Sequence, residues 1–349
     1  MRGRATGLLA GVVADALLGD PRRGHPVAVF GAAAARLERT WWADSRPRGA
    51  VYAAVLVGGA VLGGAAVERA ARRSALAAGV VTAVATWAVL GGRSLAGEGS
   101  ALAGELAADD LAAARRRLPS LCGRDPSALD ADGLARAALE SVAENTSDAV
   151  VAPLVWGAVA GVPGLLGYRA VNTLDAMVGH LSPRHARFGW ASARADDVAN
   201  AVPARVAAAL TAAAAPVVGG RPGTALAAWR HDARRHPSPN AGPVEAAFAG
   251  ALGRRLGGRT VYAYGVQERP TLGAGPPPRV PDLQRAVTLS RAVSVGAAVL
   301  AGGVAWALGG GGRAGRRRGR GAHQADDRVI RHGRNVPGSM INCLLRRER

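Results

Sequence analysis

The chain has 349 residues, of which 49% are hydrophobic, 4% aromatic and 20% charged, with 44 basic and 25 acidic side chains and a formal charge of +19. It contains no lysine, so a Walker A phosphate loop and Schiff-base chemistry are both excluded. Alanine and glycine abound while isoleucine appears only at Ile330 and Ile341, which favours helix over a β-rich fold.

In chain order, an apolar stretch from Ala5 to Ala14 ends at Asp15 without a convincing signal-peptide cleavage site, and reads as a retained N-terminal helix. Uncharged runs follow at Ala50–Val67 (18 residues), Ala75–Gly92 (18), Ala149–Tyr168 (20) and Ala292–Gly312 (21), with a shorter one at Val206–Gly220 (15). About 18 apolar residues are needed to cross ~30 Å of hydrocarbon. A soluble core of alanine-rich helices is the competing account. Four or five such runs are hard to bury in a soluble chain of this size, so the expectation is an all-α, polytopic membrane protein with about four to six embedded helices. The run at 149–168 contains Pro153, Pro163 and Gly164 and is expected to be broken or re-entrant, turning near Pro163-Gly164 and bringing Asp175 back to the side of Asp148; the competing account is a full span with Asp148 and Asp175 serving two separate sites. Cys122 and Cys343 are too few and too far apart for a disulfide framework or a four-cysteine zinc site.

From Arg313 onward eleven arginines face three acidic residues. This divides the chain into a membrane-embedded unit at 1–312 and a basic, disordered tail at 313–349. Arginines beside a span suit a lipid surface. No aromatic side chains interleave with them as stacking platforms, so nucleic acid is not an expected partner.

Between the spans lie five short polar patterns: Asp15-x-x-x-Gly19-Asp20-Pro21 with His25-Pro26; Glu140-x-x-x-Glu144-Asn145-Thr146-Ser147-Asp148; Tyr168-Arg169-x-x-Asn172-Thr173-x-Asp175; Arg194-x-Asp196-Asp197-x-x-Asn200 with Arg205; and Ser238-Pro239-Asn240 with Glu245. Asn-Thr-x-Asp occurs twice, and residues three or four apart share a helix face. Carboxylate and amide oxygens are the ligands that Mg²⁺ prefers, and arginine pairs with phosphate. Each pattern alone reads equally well as helix capping or ion pairing. His25 is as readily structural as catalytic. Together the patterns suggest a membrane enzyme handling phosphorylated substrates with Mg²⁺. A membrane prenyltransferase, on Asp196-Asp197, and a transporter with broken helices remain open on these residues alone.

The ordered motifs D-x-x-x-G-D-P…H-P, E-S-V-A-E-N-T-S-D, Y-R-A-V-N-T-L-D-A-M-V-G, F-G-W-A-S-A-R-x-D-D-V-A-N-x-x-P-A-R, S-P-N-A-G and G-A-L-G-x-R-L-G-G resemble the adenosylcobinamide-phosphate synthase family of cobalamin biosynthesis. The resemblance runs from about Ala14 to about Asp282. It departs from the family pattern at Ala149 (usually glycine), His180 (usually tyrosine) and Phe248 (usually methionine), all beside the acidic residues rather than at them.

The resemblance implies a multi-pass bacterial cell-membrane enzyme. It would join a corrin propionate of adenosylcobyric acid to aminopropanol or its phosphate, driven by ATP. It implies Mg²⁺ ligands among Asp148, Asp175, Asp196 and Asp197. Phosphate or corrin contacts would come from Asn145, Arg169, Asn172, Arg194, Arg205 and Asn240. Glu144, His25 or Asp148 would carry the proton transfer.

Overall fold

The computed structural model describes residues 2–322 except 22–23, 128, 181 and 263–264. The chain divides after Gly309 into two units, and the described residues up to Gly309 form one compact body. Of the basic tail expected at 313–349, the backbone is helical as far as Ala322, and 323–349 lie outside the described residues.

Alanine-rich segments fold into thirteen α-helices among the described residues: α1 (Arg2–Leu18), α2 (Pro26–Trp41), α3 (Arg46–Ala71), α4 (Ala75–Val89), α5 (Gly92–Ala107), α6 (Leu111–Arg117), α7 (Ala131–Thr146), α8 (Ala152–Leu174), α9 (Trp190–Ala199), α10 (Ala201–Ala214), α11 (Pro222–Asp232), α12 (Ala241–Leu252) and α13 (Val280–Ala322). Their starts follow ordinary capping chemistry. Ser74, Asp110 and Asp130 each accept a backbone N–H from the first turn they precede.

Five helical stretches are long and apolar enough to cross a membrane: Arg46–Ala71, Ala75–Ala107, Ala131–Gly179, Ala201–Val218 and Val280–Gly309. Each overlaps one of the five uncharged runs. Their outer faces show Val51, Val55, Leu62, Leu76, Val80, Val295 and Val299 to the surroundings. Such a band is unfavourable in water and suited to lipid. The protein is a polytopic helical membrane protein.

Helices α1 and α4 run side by side in parallel. Gly3, Gly7 and Gly11 line one face of α1 and lie against Ala75, Gly79, Thr82 and Thr86 in order. A methyl group at Gly7 would sit 2.6 Å from the Gly79 carbonyl oxygen. This small-residue stripe lets the two backbones approach, as in membrane helix pairs generally. Thr82 and Thr86 donate their hydroxyls back into their own helix at 2.8 and 2.7 Å, so no polar group is stranded.

The stretch Ala131–Gly179 is a hairpin. Gly161 has φ 70° and ψ −146°, outside the helical region, and breaks α8 into two arms. Leu165 on the second arm lies against Gly157 on the first. The expected break is therefore present, two residues before the expected Pro163-Gly164 turn. Glycine alone adopts this backbone conformation without strain, and Pro163 then starts the second arm, where its missing N–H costs nothing. The break frees backbone groups that lipid cannot satisfy. Arg4 donates to the Val159 carbonyl at 3.2 Å, Glu68 accepts the Val162 N–H at 3.2 Å, and Arg4 and Glu68 pair with each other at 3.2 Å.

An antiparallel ribbon that the helix-favouring composition does not predict lies between α12 and α13: β1 (Leu256–Tyr262) and β2 (Gly265–Leu272), with Gly258 opposite Arg269 and Thr260 opposite Gln267. Leu256 and Leu272 anchor it in the main apolar core formed by α5, α7, α8, α12 and α13. A smaller core joins Ala34, Tyr52, Leu174, Val178 and Phe188, where the Tyr52 hydroxyl donates to the Ala34 carbonyl at 3.1 Å.

Candidate functional site

The two Asn-Thr-x-Asp patterns sit at the two ends of the hairpin. In each, the helix widens into a π turn, Ser147–Val151 on the first arm and Asp175–Gly179 on the second. A π turn re-aims the side chains it carries and is frequent at functional sites. Here both turns direct their aspartates into one cavity of about 580 Å³, which Asp196, Asp197, Asn200 and Asn240 also line. The reversal at Gly161 makes this convergence possible, because a straight helix would separate residues 148 and 175 by roughly 40 Å at 1.5 Å per residue.

A hydrogen-bonded chain fixes the cavity wall. The Tyr168 hydroxyl donates to Asn200 Oδ1 at 2.8 Å, Asn200 Nδ2 donates to Asp196 Oδ2 at 2.9 Å, and Asn172 Nδ2 approaches Asp196 Oδ1 at 3.4 Å. Burial pushes the Asp196 carboxyl above the usual carboxylate range, and the amides of Asn200 and Asn172 pull it back. Asn240 donates to the Asp197 carbonyl at 2.8 Å and accepts from Arg205 at 3.1 Å. Among the described residues, the Asp148 and Asp175 side chains make no hydrogen bond or ion pair, and Glu144 opens to the same cavity. No three His, Cys, Asp or Glu side chains among the described residues form a group that holds a bare metal ion.

The other sequence-selected residues lie around this centre. Arg169 is within electrostatic reach of Asp20 and Asp148, and its Nε is buried without a hydrogen-bond partner. Arg205 reaches the site through Asn240, its side chain otherwise lining a neighbouring groove. Arg169, Asn172 and Arg205 stand beside the cavity lining rather than in it, and three more of the selected residues are also outside it. His25 caps the start of α2, with Nδ1 accepting the Val27 N–H at 3.2 Å and Nε2 3.5 Å from Asp20. Asn145 is turned back onto Ser141 at 3.0 and 3.1 Å. Arg194 is exposed and pairs with Asp197 at 3.3 Å.

A buried polar cluster that sequence reasoning did not select adjoins the cavity, with His236 and Arg269 in the cavity lining. Arg124 and Glu140 form an ion pair, and Glu140 Oε1 also accepts the Gly257 N–H at 2.7 Å from the first strand. His236 Nε2 stands 3.7 Å from Glu245 Oε1, and Arg269 approaches the same oxygen at 4.0 Å. Burial lowers the His236 imidazole below the usual histidine range. Burial, followed by the charges of Glu140 and Glu144, raises the Glu245 carboxyl well above its ordinary value. Glu140 and Glu245 stand inside the patterns read from the sequence, and His236 two residues before one. Their pairing depends on the ribbon that carries Arg269 and Gly257, which leaves no local signal.

A family model described as CobD/Cbib protein matches residues 8–290. The chain is 61% identical over 287 residues to cobalamin biosynthesis protein CobD of Mycobacterium tuberculosis (strain ATCC 25618 / H37Rv), covering 82% of this chain and 91% of that one. It is 42% identical over 282 residues to cobalamin biosynthesis protein CobD of Stutzerimonas stutzeri (strain A1501), covering 81% and 91% respectively. No solved structure matches. With its hairpin and converging motifs inside the matched region, the chain belongs to the CobD/CbiB family.

Proposed function

We propose that this protein acts in cobalamin biosynthesis, in the bacterial cytoplasmic membrane, as an ATP-driven amide synthase. It would join a propionate carboxylate of adenosylcobyric acid to the amine of aminopropanol or its phosphate. The observation that carries this reading is the convergence of Asp148 and Asp175, both unpaired, with Asp196, Asp197 and Asn240 around one cavity. The family names support the pathway.

The chemistry requires activation, since a carboxylate and an amine do not condense in water. The corrin carboxylate attacks the γ-phosphorus of ATP, forming an acyl phosphate and releasing ADP. The amine then attacks the acyl carbon, the C–O bond to phosphate breaks, and the amine gives up a proton. Glu144, open to the cavity, is placed to take that proton.

The donor set fits Mg²⁺, which needs only one or two protein carboxylates when phosphate and water complete its shell. Asp148 and Asp175 would hold it, with Asp196 and Asp197 beside them, and it would screen the nucleotide's charge. Because no three-ligand group among the described residues is ready for a bare ion, the metal fits best as a companion of the nucleotide. With no lysine in the chain, Arg269 in the cavity lining, and Arg169 and Arg205 beside it, are the arginines available for phosphate or corrin carboxylate.

The deciding experiment reconstitutes purified protein in lipid nanodiscs with MgATP, adenosylcobyric acid and aminopropanol phosphate. ADP release that requires both other substrates, with an amide product by mass spectrometry, is the expected result. ATP-independent consumption of an isoprenyl diphosphate, or substrate uptake into vesicles without product, would replace this reading.

A further inference from the structure

A pocket of about 430 Å³ lies in the corner between α2 and α3 and shares no lining residue with the aspartate cavity. Thr40 and Trp41 at the end of α2, and Pro47, Arg48 and Val51 in the first turns of α3, line it. Trp41 and Arg48 are exposed, and neither side chain makes a hydrogen bond or ion pair among the described residues. No carboxylate lines the pocket. The acidic residues closest in sequence, Glu38 and Asp44, face Arg184 at 3.1 Å and Arg187 at 3.8 Å. Arg48 is therefore a cation without a counter-ion at the point where a membrane span begins. A guanidinium pairs well with phosphate, and tryptophan at a membrane surface adds an indole N–H beside it.

The wall of the pocket continues down the span. Val51, Val55, Gly59 and Leu62 fall at i, i+4, i+8 and i+11, on one face of α3. The three apolar side chains are exposed, and no atom lies within 4 Å of where a side chain would start at Gly59 or Gly63. The face is an open track about 17 Å long at 1.5 Å per residue, close to the ~15 Å half-thickness of a hydrocarbon core. Pocket and track together match a molecule with a phosphate head and a chain one leaflet long.

We propose that the α2–α3 corner binds one anionic diacyl phospholipid, its phosphate on Arg48 and the Trp41 indole N–H, and an acyl chain along Val51, Val55, Gly59 and Leu62. A zwitterionic lipid fits less well, because the ammonium of its head meets a wall without a carboxylate. The seat is joined to the aspartate cavity through the loop at 182–189. Trp42, next to Trp41, donates its indole N–H to the Arg184 carbonyl at 3.1 Å, and the Arg184 guanidinium lies 4.7 Å from the Trp42 ring centre. Gly49, next to Arg48, packs directly against the Phe188 carbonyl with no room for a side chain. Ser182 and Pro183 of the same loop line the aspartate cavity. A bound lipid holds the corner against this loop, so the anionic content of the membrane sets how firmly that part of the cavity wall is held.

The test needs no substrate and no turnover. Full-length protein in detergent is mixed with equal amounts of phosphatidylglycerol and phosphatidylcholine and read by native mass spectrometry. One phosphatidylglycerol retained per chain is expected for the wild type, with retention falling about fivefold or more in Arg48→Gln and largely kept in Arg48→Lys. Arg73→Gln, just past the far end of α3, is the control for bulk charge and should retain as much as the wild type. Arg48 has no partner to strand, so its variants should keep the wild-type melting temperature in phosphatidylcholine nanodiscs. Phosphatidylglycerol should raise that temperature in the wild type and not in Arg48→Gln. Hydrogen exchange at 182–189 should slow in phosphatidylglycerol nanodiscs for the wild type alone. Equal retention of the two lipids by the wild type, full retention in Arg48→Gln, or the same loss in Arg73→Gln overturns the proposal. Exchange at 182–189 that ignores the lipid overturns the link to the cavity.

Discussion

The Tyr168 hydroxyl donates to the backbone carbonyl of Asp148 at 3.2 Å, although twenty residues of apolar helix separate them in sequence. In a continuous helix those residues would stand about 30 Å apart. The contact therefore records the reversal at Gly161, and with it the geometry that gives the two Asn-Thr-x-Asp patterns a common cavity.

Gly161→Ala should be among the most damaging small substitutions in the chain. A side chain at φ 70° and ψ −146° is strained by about 1–3 kcal/mol. The added methyl would also meet Glu68 Oε2 at 2.6 Å and the Arg4 guanidinium at 2.7 Å. A lower melting temperature in detergent, with loss of the Asp148–Asp175 convergence read by cysteine cross-linking, is expected. An unchanged melting temperature would show that the hairpin does not depend on this glycine.

Asp148→Asn and Asp175→Asn should each lower kcat by about 100-fold or more, the scale seen for removing one electrostatic group from a preorganised site. Arg194→Ala should cost far less, because Arg194 is exposed and meets the site only through a surface pair with Asp197. Steady-state ADP release ranks the three. Equal losses would mean that Arg194 reaches substrate in the working enzyme.

The His236–Glu245 pair predicts opposite pH signatures. Burial lowers the native His236 pKa below its unfolded value near 6.5, so its contribution to stability is present above about pH 6.5 and lost as pH falls through that range. Burial raises the native Glu245 pKa, so its contribution is present below the unfolded value near 4.3 and lost as pH rises through the native value. His236→Gln should flatten the acid side of a melting-temperature profile and Glu245→Gln the alkaline side. Profiles that keep the wild-type shape would disconnect the pair from stability.

Replacing Gly7 by leucine should push α1 off α4. The extra volume has nowhere to go beside the Gly79 carbonyl and the Thr82 side chain, and overpacking of this kind costs about 1–3 kcal/mol. Leucine at Gly59, which has open space around it, is the control and should change the melting temperature little.

A chain ending at Gly315 should keep its activity, since the family match ends at residue 290. The comparison is amide synthesis per mole of membrane-inserted protein. A large loss at normal insertion would give the arginine-rich end a part in the reaction.

The membrane class, the five apolar stretches and the positions of the acidic patterns were legible in the sequence because each depends on local composition. A span must be apolar over a fixed length whatever packs against it. The break within 149–168 was legible for a related reason, since proline and glycine carry backbone constraints wherever they stand. Which side chains meet was decided in three dimensions. One glycine reversed the chain and brought Asp148 to Asp175, while two π turns set where they point. Asn145 has the residue type and spacing of a site residue, yet it sits on a helix face that returns it to Ser141. His236, Glu245 and Arg269 come together from a loop, a helix and a strand, and the changed acidities of His236 and Glu245 arise from burial that no local pattern encodes.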